Sequence, residues 1–339
     1  MAHPEIDNRT PFALSFTFAS DEDGRPLIVP LVQASYDLAP GMAPVLSAEQ
    51  KEASAAGERW PGGDQASYRI EPAYAFYKPS TDVVLVGHAR APGKPVSELE
   101  VVFRVGPVGK VLCVTGDRRW VRVGGQIGAT RPEPFSELPL RFERAFGGWD
   151  RSNPDPTKHG CEARNPIGVG YRAPEGSFEE GIALPNIEDP RDRVQAYGQA
   201  VAPAGVGFLS PDWAPRAKLA GTYDAGWSRE RQPLLPRDFD RRFFNAAALV
   251  TPSHLLGGEE VLVDNASAAG RLAFRLPLLA PLRCTVALRK RADVLLTPLL
   301  DTVIVDADNH KLLLTFRAHA ALTSSLHDVR AIMVESAPV

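Results

Sequence analysis

The stretch from Arg141 to Asn245 is specified in detail yet follows neither a helical nor a strand repeat, and nothing else in the chain constrains the fold as much. Prolines and glycines cut it into islands: R-F-E-R-A-F-G-G-W-D from Arg141, N-P-I-G-V-G from Asn165 and L-P-N-I-E-D-P from Leu184. P-A-G-V-G-F from Pro203, D-W-A-P-R from Asp212, G-T-Y-D-A-G-W from Gly221 and L-P-R-D-F-D-R-R-F-F-N from Leu235 complete the series. Runs without regular structure longer than roughly a dozen residues are functional or disordered when they occur in compact domains. This one keeps Trp149, Trp213, Trp227, Phe239, Phe243 and Phe244, which disordered segments lack. A folded surface of loops is the expectation.

The flanks read as strands. Phe12 to Phe18 alternates apolar and polar, and Leu27 to Leu38 is a longer extended run whose Pro30 predicts an edge or a bulge. Asp82 to Ala89, Glu100 to Val105, Lys110 to Thr115 and Trp120 to Val123 are short, Val-rich or aromatic, and separated by turn residues. In Arg271 to Leu276 and Arg283 to Arg289 every second residue is apolar, the period of a half-buried antiparallel strand. Thr302 to Val305 and Leu312 to Phe316 flank a turn at Asp306–His310. Ala39 to Gly63 reads as a long connection, Ala246 to Leu256 as a helical turn or two, and Ser325 to Met333 as a short helix or a strand. The expected fold is mainly β with little helix. Two antiparallel β-sandwich-like modules, 1–145 and 246–339, are bridged by the loop-rich segment 146–245, and 1–339 forms one unit.

A net charge of −3 and a pI near 6.2 give no electrostatic case for nucleic acid. No apolar run approaches a membrane span and the start has no secretory pattern. Cys113, Cys161 and Cys284 are odd in number and widely spaced, as in a reducing compartment, so a cytoplasmic location is expected. No cofactor is expected. Gly168-Val169-Gly170 resembles a dinucleotide fingerprint only until Pro174 falls where a helix should open. Asp306, Asp308 and His310 lack the glycine and final glutamate of a calcium loop. His159 and Cys161 lack two further ligands at metal spacing.

Paired acids are the remaining chemistry. Asp238 and Asp240 flank Phe239, and Glu143 lies near Asp150, which would suit acid and base roles on a glycan. Arginines stand beside each: Arg141 and Arg144, then Arg237, Arg241 and Arg242. Arg–carboxylate pairs that hold loops in register are the better reading. The candidate partner-binding or loop-organising polar residues are Arg144, Asp150, Asn165, Arg216, Asp238, Asp240 and Arg241, with Asn165 read as a turn former. Trp149, Trp213, Tyr223, Trp227, Phe243 and Phe244 are the candidate aromatic anchors for a partner, or else plugs between the β modules.

In order and spacing, the seven islands, together with the β flanks, resemble a bacterial domain-of-unknown-function family tied to type VI secretion, over roughly residues 10 to 320. Members of that family look like effector adaptors. The resemblance implies a non-catalytic protein that binds a toxin effector and helps load it onto the VgrG–PAAR spike. It departs at Val169, where a basic residue is expected between the glycines. A β-rich glycan hydrolase and a structural component of the secretion machine are the alternatives.

Overall fold

The computed structural model describes residues 4–278, 280–289, 291–322 and 326–336. The chain is mainly β. Among the described residues the only α-helices are Ala214–Ala217 and Ala225–Glu230, both within the loop-rich segment. No helix among the described residues is long and apolar enough to cross a membrane.

Three sheets carry the architecture. The largest runs in the order Leu249–Val250, Asp82–Val86, Leu299–Asp306, Lys311–Arg317, Pro26–Asp37, Ala13–Ser20, with Val45–Leu46 and Ala320–Ala321 also paired to Pro26–Asp37. A second runs Ile187–Glu188, Val108–Thr115, Glu98–Val105, Glu260–Asp264, Leu272–Arg275. A third runs Glu5–Asn8, Val329–Ser336, Leu282–Leu288, Val294–Leu296. Each draws strands from both ends of the chain, so 1–145 and 246–339 do not hold separate sheets. Two of the pairings that join the chain ends are parallel, Glu5–Asn8 with Val329–Ser336 and Asp82–Val86 with Leu299–Asp306; every other neighbouring pair in the three sheets is antiparallel, including those of Pro26–Asp37 with Lys311–Arg317 and Glu98–Val105 with Glu260–Asp264.

Local sequence explains most strands. In Leu282–Leu288, Cys284 and Val286 are fully buried while Arg283 is exposed, as the two-residue period requires. Pro26–Asp37 departs from that pattern: Leu27 through Tyr36 are all buried, because both faces are covered. Ile28, Val32 and Ala34 join the main core, and Leu27 and Val29 pack with Phe76 and Phe244 on the other face. The strand is therefore central, not an edge. Pro30 is tolerated because its neighbour is interrupted there. Lys311–Arg317 pairs as far as Leu31, Ala320–Ala321 resumes at Ile28, and between them the N–H of Ala318 donates to Pro30 O at 3.2 Å.

Two further expectations change. Ala246 to Leu256 is not helical; Leu249–Val250 joins the edge of the large sheet instead, because Leu249 packs against the main core. Ser325 lies outside the described residues, and the segment after it is a single 3-10 turn, Leu326–Asp328, leading into the strand Val329–Ser336. The turn at 306–310 is a hairpin, with His310 at φ 52° and Asn309 donating through its backbone and side chain to Asp306.

Candidate functional site

The islands fold by anchoring their backbones to a few buried polar side chains. Asn165 has no exposed surface; its Nδ2 donates to Phe142 O at 2.8 Å and Phe146 O at 3.0 Å. Its own carbonyl accepts from the N–H groups of Gly148 and Gly168 at 2.9 and 3.2 Å. One residue thus ties the island at Arg141 to the island at Asn165, and Val169–Gly170 then pairs in parallel with Phe146–Gly147. Gly148 must be glycine: its φ is +91°, and a Cβ would stand 2.3 Å from Gly168 O.

The island at Leu184 docks on the same junction. The N–H of Asn186 donates to Arg144 O at 2.8 Å, and its Nδ2 to Thr115 O and Asp117 Oδ1, both at 2.9 Å. Arg144 Nη1 closes the group on Asp117 Oδ1 at 2.9 Å and Asn186 Oδ1 at 3.1 Å. Where these loops meet there is a cavity of about 290 Å³, walled by Asp117, Arg118, Arg119, Arg141, Glu143, Arg144, Val169, Ala183, Leu184 and Asn186. Arg118 reaches Pro185 O and the buried Glu188 carboxylate, both at 2.7 Å. Glu143 turns away from the arginines and accepts from Ser67 N–H and Oγ, both at 2.8 Å. Sequence reasoning missed Asp117, Arg118 and Arg119; their only local mark is a charged triplet just before the Trp120–Val123 strand.

Trp149 and Asp150 lie beyond this junction. Trp149 is 52% exposed, with the Arg151 guanidinium 5.0 Å from its ring. Asp150 is buried and accepts from the backbone N–H groups of Ser152 and Ala173, both at 2.9 Å, with Arg172 Nη1 at 3.3 Å. Burial pushes its carboxyl up, but the two N–H donors and the Arg172 charge outweigh it and hold the group below the usual carboxylate range. A depressed carboxylate stabilises fully above its unfolded value, about 3.9, and stops doing so as pH falls through the folded value. Acid titration followed by near-ultraviolet circular dichroism is therefore expected to show tertiary structure lost below about pH 4, with a flatter slope in Asp150→Asn.

The remaining aromatic residues fall into three separate ring contacts. Trp213 is 2% exposed and packs edge-on against Phe142 at 5.2 Å. Phe239, Phe243 and Phe244 are half-buried in mutual ring contact, and Phe244 reaches Phe76 at 4.9 Å. Trp227 is half-buried, its Nε1 donating to Leu234 O at 2.8 Å, and it carries Tyr223 at 4.7 Å; Tyr223 is 52% exposed. Of the candidate anchors, then, Trp213 is core, Trp227, Phe243 and Phe244 are partly so, and Trp149 and Tyr223 face outward.

Arg216 is buried, bonded to Leu209 O at 2.7 Å, Phe243 O at 3.1 Å and Glu71 at 2.8 Å. Through Glu71 it joins a buried ion cluster that sequence reasoning also missed. Lys78 Nζ lies 2.7 Å from Asp82 and 3.5 Å from Glu71, and Arg317 pairs with Asp301.

The candidate acids do not converge. Asp238 accepts from Thr222 N–H and Oγ1 at 3.0 and 2.7 Å, and Asp240 caps its own turn and pairs with Arg242 at 2.5 Å. These bonds hold both carboxyls below their usual range. Arg241 pairs with the distant Glu22 at 2.5 Å, not with its acidic neighbours. His159 Nε2 lies 3.0 Å from Asn153 O, and burial pushes the Cys161 thiol up, with Glu162 adding to the effect.

No curated protein and no solved structure matches the chain. The family model described as an uncharacterized protein conserved in bacteria (DUF2169) matches residues 23–317, and the chain belongs to that family.

Proposed function

We propose that the protein is a non-catalytic type VI secretion adaptor, which binds a toxin effector and helps load it onto the VgrG–PAAR spike. The observation that carries this reading is the ordered loop surface itself. Islands resembling the adaptor family are pinned from beneath by Asn165, Asp150, Asn186, Arg216 and Asp238, and they leave Trp149 and Tyr223 facing outward. Outward aromatics on a rigid support bind partners with little ordering cost. The glycan-hydrolase reading gains no support from the acids. A general acid needs a raised pKa and a second carboxyl across the substrate, whereas Asp238 and Asp240 are depressed and occupied in separate turns.

A pull-down of the tagged protein from its native host, read by mass spectrometry, tests the proposal. Recovery of a toxin together with VgrG or a PAAR protein is expected. A clean protein without partners would overturn it, and presence at fixed stoichiometry in the assembled particle would favour a structural component instead.

A further inference from the structure

We infer that the cavity between Asp117–Arg119 and the loops at 141–144 and 184–186 is a carboxylate-binding site, occupied by an acidic side chain on an extended segment of a protein partner. The identity of that partner rests on the adaptor reading; the chemistry of the site does not.

Charge is the first argument. Arg118, Arg119, Arg141 and Arg144 line the cavity against the carboxylates of Asp117 and Glu143. Arg144 is matched by Asp117 at 2.9 Å, and Arg118 by the buried Glu188 at 2.7 Å. Glu143 is satisfied by Ser67. Among the described residues, Arg119 and Arg141 form no ion pair. Each gives one Nη1 donor to a backbone carbonyl, Gly181 O at 2.9 Å and Pro61 O at 2.8 Å. A guanidinium has five donors, so most of the donor capacity of these two is uncommitted.

The Nε atoms of Arg118 and Arg141 are buried and have no hydrogen-bond acceptor, and the Arg118 side chain is only 10% exposed. Buried donors are ordinarily satisfied, so the protein itself leaves the guanidiniums of Arg118 and Arg141 short of acceptors. The walls also come from three of the seven sequence islands, through Arg141, Glu143 and Arg144, Val169, and Leu184 with Asn186.

Size and balance select the ligand. A volume of about 290 Å³ lies at the small end of ligand sites and suits a side chain, not a folded element. Val169 and Leu184 offer apolar wall to a methylene stem. Asp117 and Glu143 disfavour a dianion such as phosphate, and a net charge of −3 disfavours nucleic acid. A single carboxylate is matched in shape and charge by a guanidinium fork.

The test is a fluorescence-anisotropy titration with a fluorescein-labelled tetraglutamate peptide at low salt, with tetraglutamine and inorganic phosphate for comparison. Saturable binding of tetraglutamate alone is expected, weakening as salt rises. Arg141→Gln and Arg119→Gln should each weaken it by about tenfold or more. Arg119 is exposed and bonds through its side chain to a single carbonyl, so Arg119→Gln keeps the test valid if Arg141→Gln misfolds. The inference is overturned by no saturation up to about 10 mM peptide, by equal binding of tetraglutamine, by preference for phosphate, or by affinity unchanged in both variants. If the wild-type pull-down recovers partners and a variant carrying both Arg119→Gln and Arg141→Gln retains them, the adaptor reading stands and this site fails. If the wild type recovers none, the adaptor reading fails and the titration still decides the site.

Discussion

Asp82→Ala is expected to lower stability by about 3–5 kcal/mol. Asp82 has no exposed surface, and its carboxylate accepts from Lys78 Nζ at 2.7 Å, Asn245 Nδ2 at 2.9 Å and the N–H of Ala246 at 3.0 Å. Burial alone would pull Lys78 down, but Asp82, then Glu71 and Asp301, outweigh it and hold the ammonium above the ordinary lysine value. Removing Asp82 leaves that charge buried beside a weaker partner, Glu71 at 3.5 Å, which Arg216 already engages at 2.8 Å. Losing one partner of a buried pair costs more than losing both, because the orphaned charge has no solvent. Urea denaturation should therefore show a lowered midpoint at unchanged slope, and Lys78→Met combined with Asp82→Leu should recover much of the loss. A loss below about 1 kcal/mol in the single variant would mean that water reaches Lys78 and that the cluster is a surface pair.

That cluster also marks where reading the sequence stops. Lys78 and Asp82 sit in K-P-S-T-D, which looks like a solvated turn before a strand. The pairing of Asp82–Val86 with Leu299–Asp306 on one side and Leu249–Val250 on the other helps to bury them, and no local period announces pairings between segments so far apart in the chain. Strands with one wet face were legible: Cys284 and Val286 alternate with Arg283 and Thr285 as the sheet requires. Pro26–Asp37 was legible as extended but not as central, since burial on both faces erases alternation and Pro30 argued for an edge. The interleaving of the chain ends was invisible for the same reason as the ion cluster.

At the site, the islands were visible as specified loops, and Asn165 and Asp150 as organisers. The pairings that shape the cavity were not. Arg144 finds Asp117 and Arg118 finds Glu188, partners chosen by how three loops cross and not by neighbouring residues. The acids that looked paired in sequence, Asp238 and Asp240, are committed to different partners, Asp238 to Thr222 on another loop and Asp240 to Arg242 in its own turn. The aromatics divide by position: Trp213 opens a helix that packs on Phe142 and is core, while Trp149 sits on a two-residue strand with one open face.

Asn165→Asp is expected to cost more than Asn165→Ala, and both should disable the arginine cavity without touching a residue that lines it. Asn165 is fully buried and its Nδ2 donates to Phe142 O and Phe146 O, at 2.8 and 3.0 Å. Alanine removes both donors. A buried acceptor left unmade costs about 1–3 kcal/mol, and Phe142 O keeps the N–H of Ala145 at 3.1 Å, so a loss of about 1–3 kcal/mol follows. Aspartate keeps the shape but turns the donor into an acceptor aimed at two carbonyls, and places a charge where no cation is bonded to it, which is the costlier error. Beyond stability, Asn165 is the tie that sets Val169 and Gly170 against the Phe146–Gly147 strand that follows the Arg141–Arg144 turn, and the backbones of Gly148 and Gly168 meet there too closely for any side chain. Thermal denaturation should rank wild type above Asn165→Ala above Asn165→Asp at neutral pH. At a temperature where Asn165→Ala remains folded by circular dichroism, tetraglutamate binding should still fall. Binding equal to wild type in that folded variant would mean that Arg119 and Arg141 are placed by the sheet and not by the loop junction.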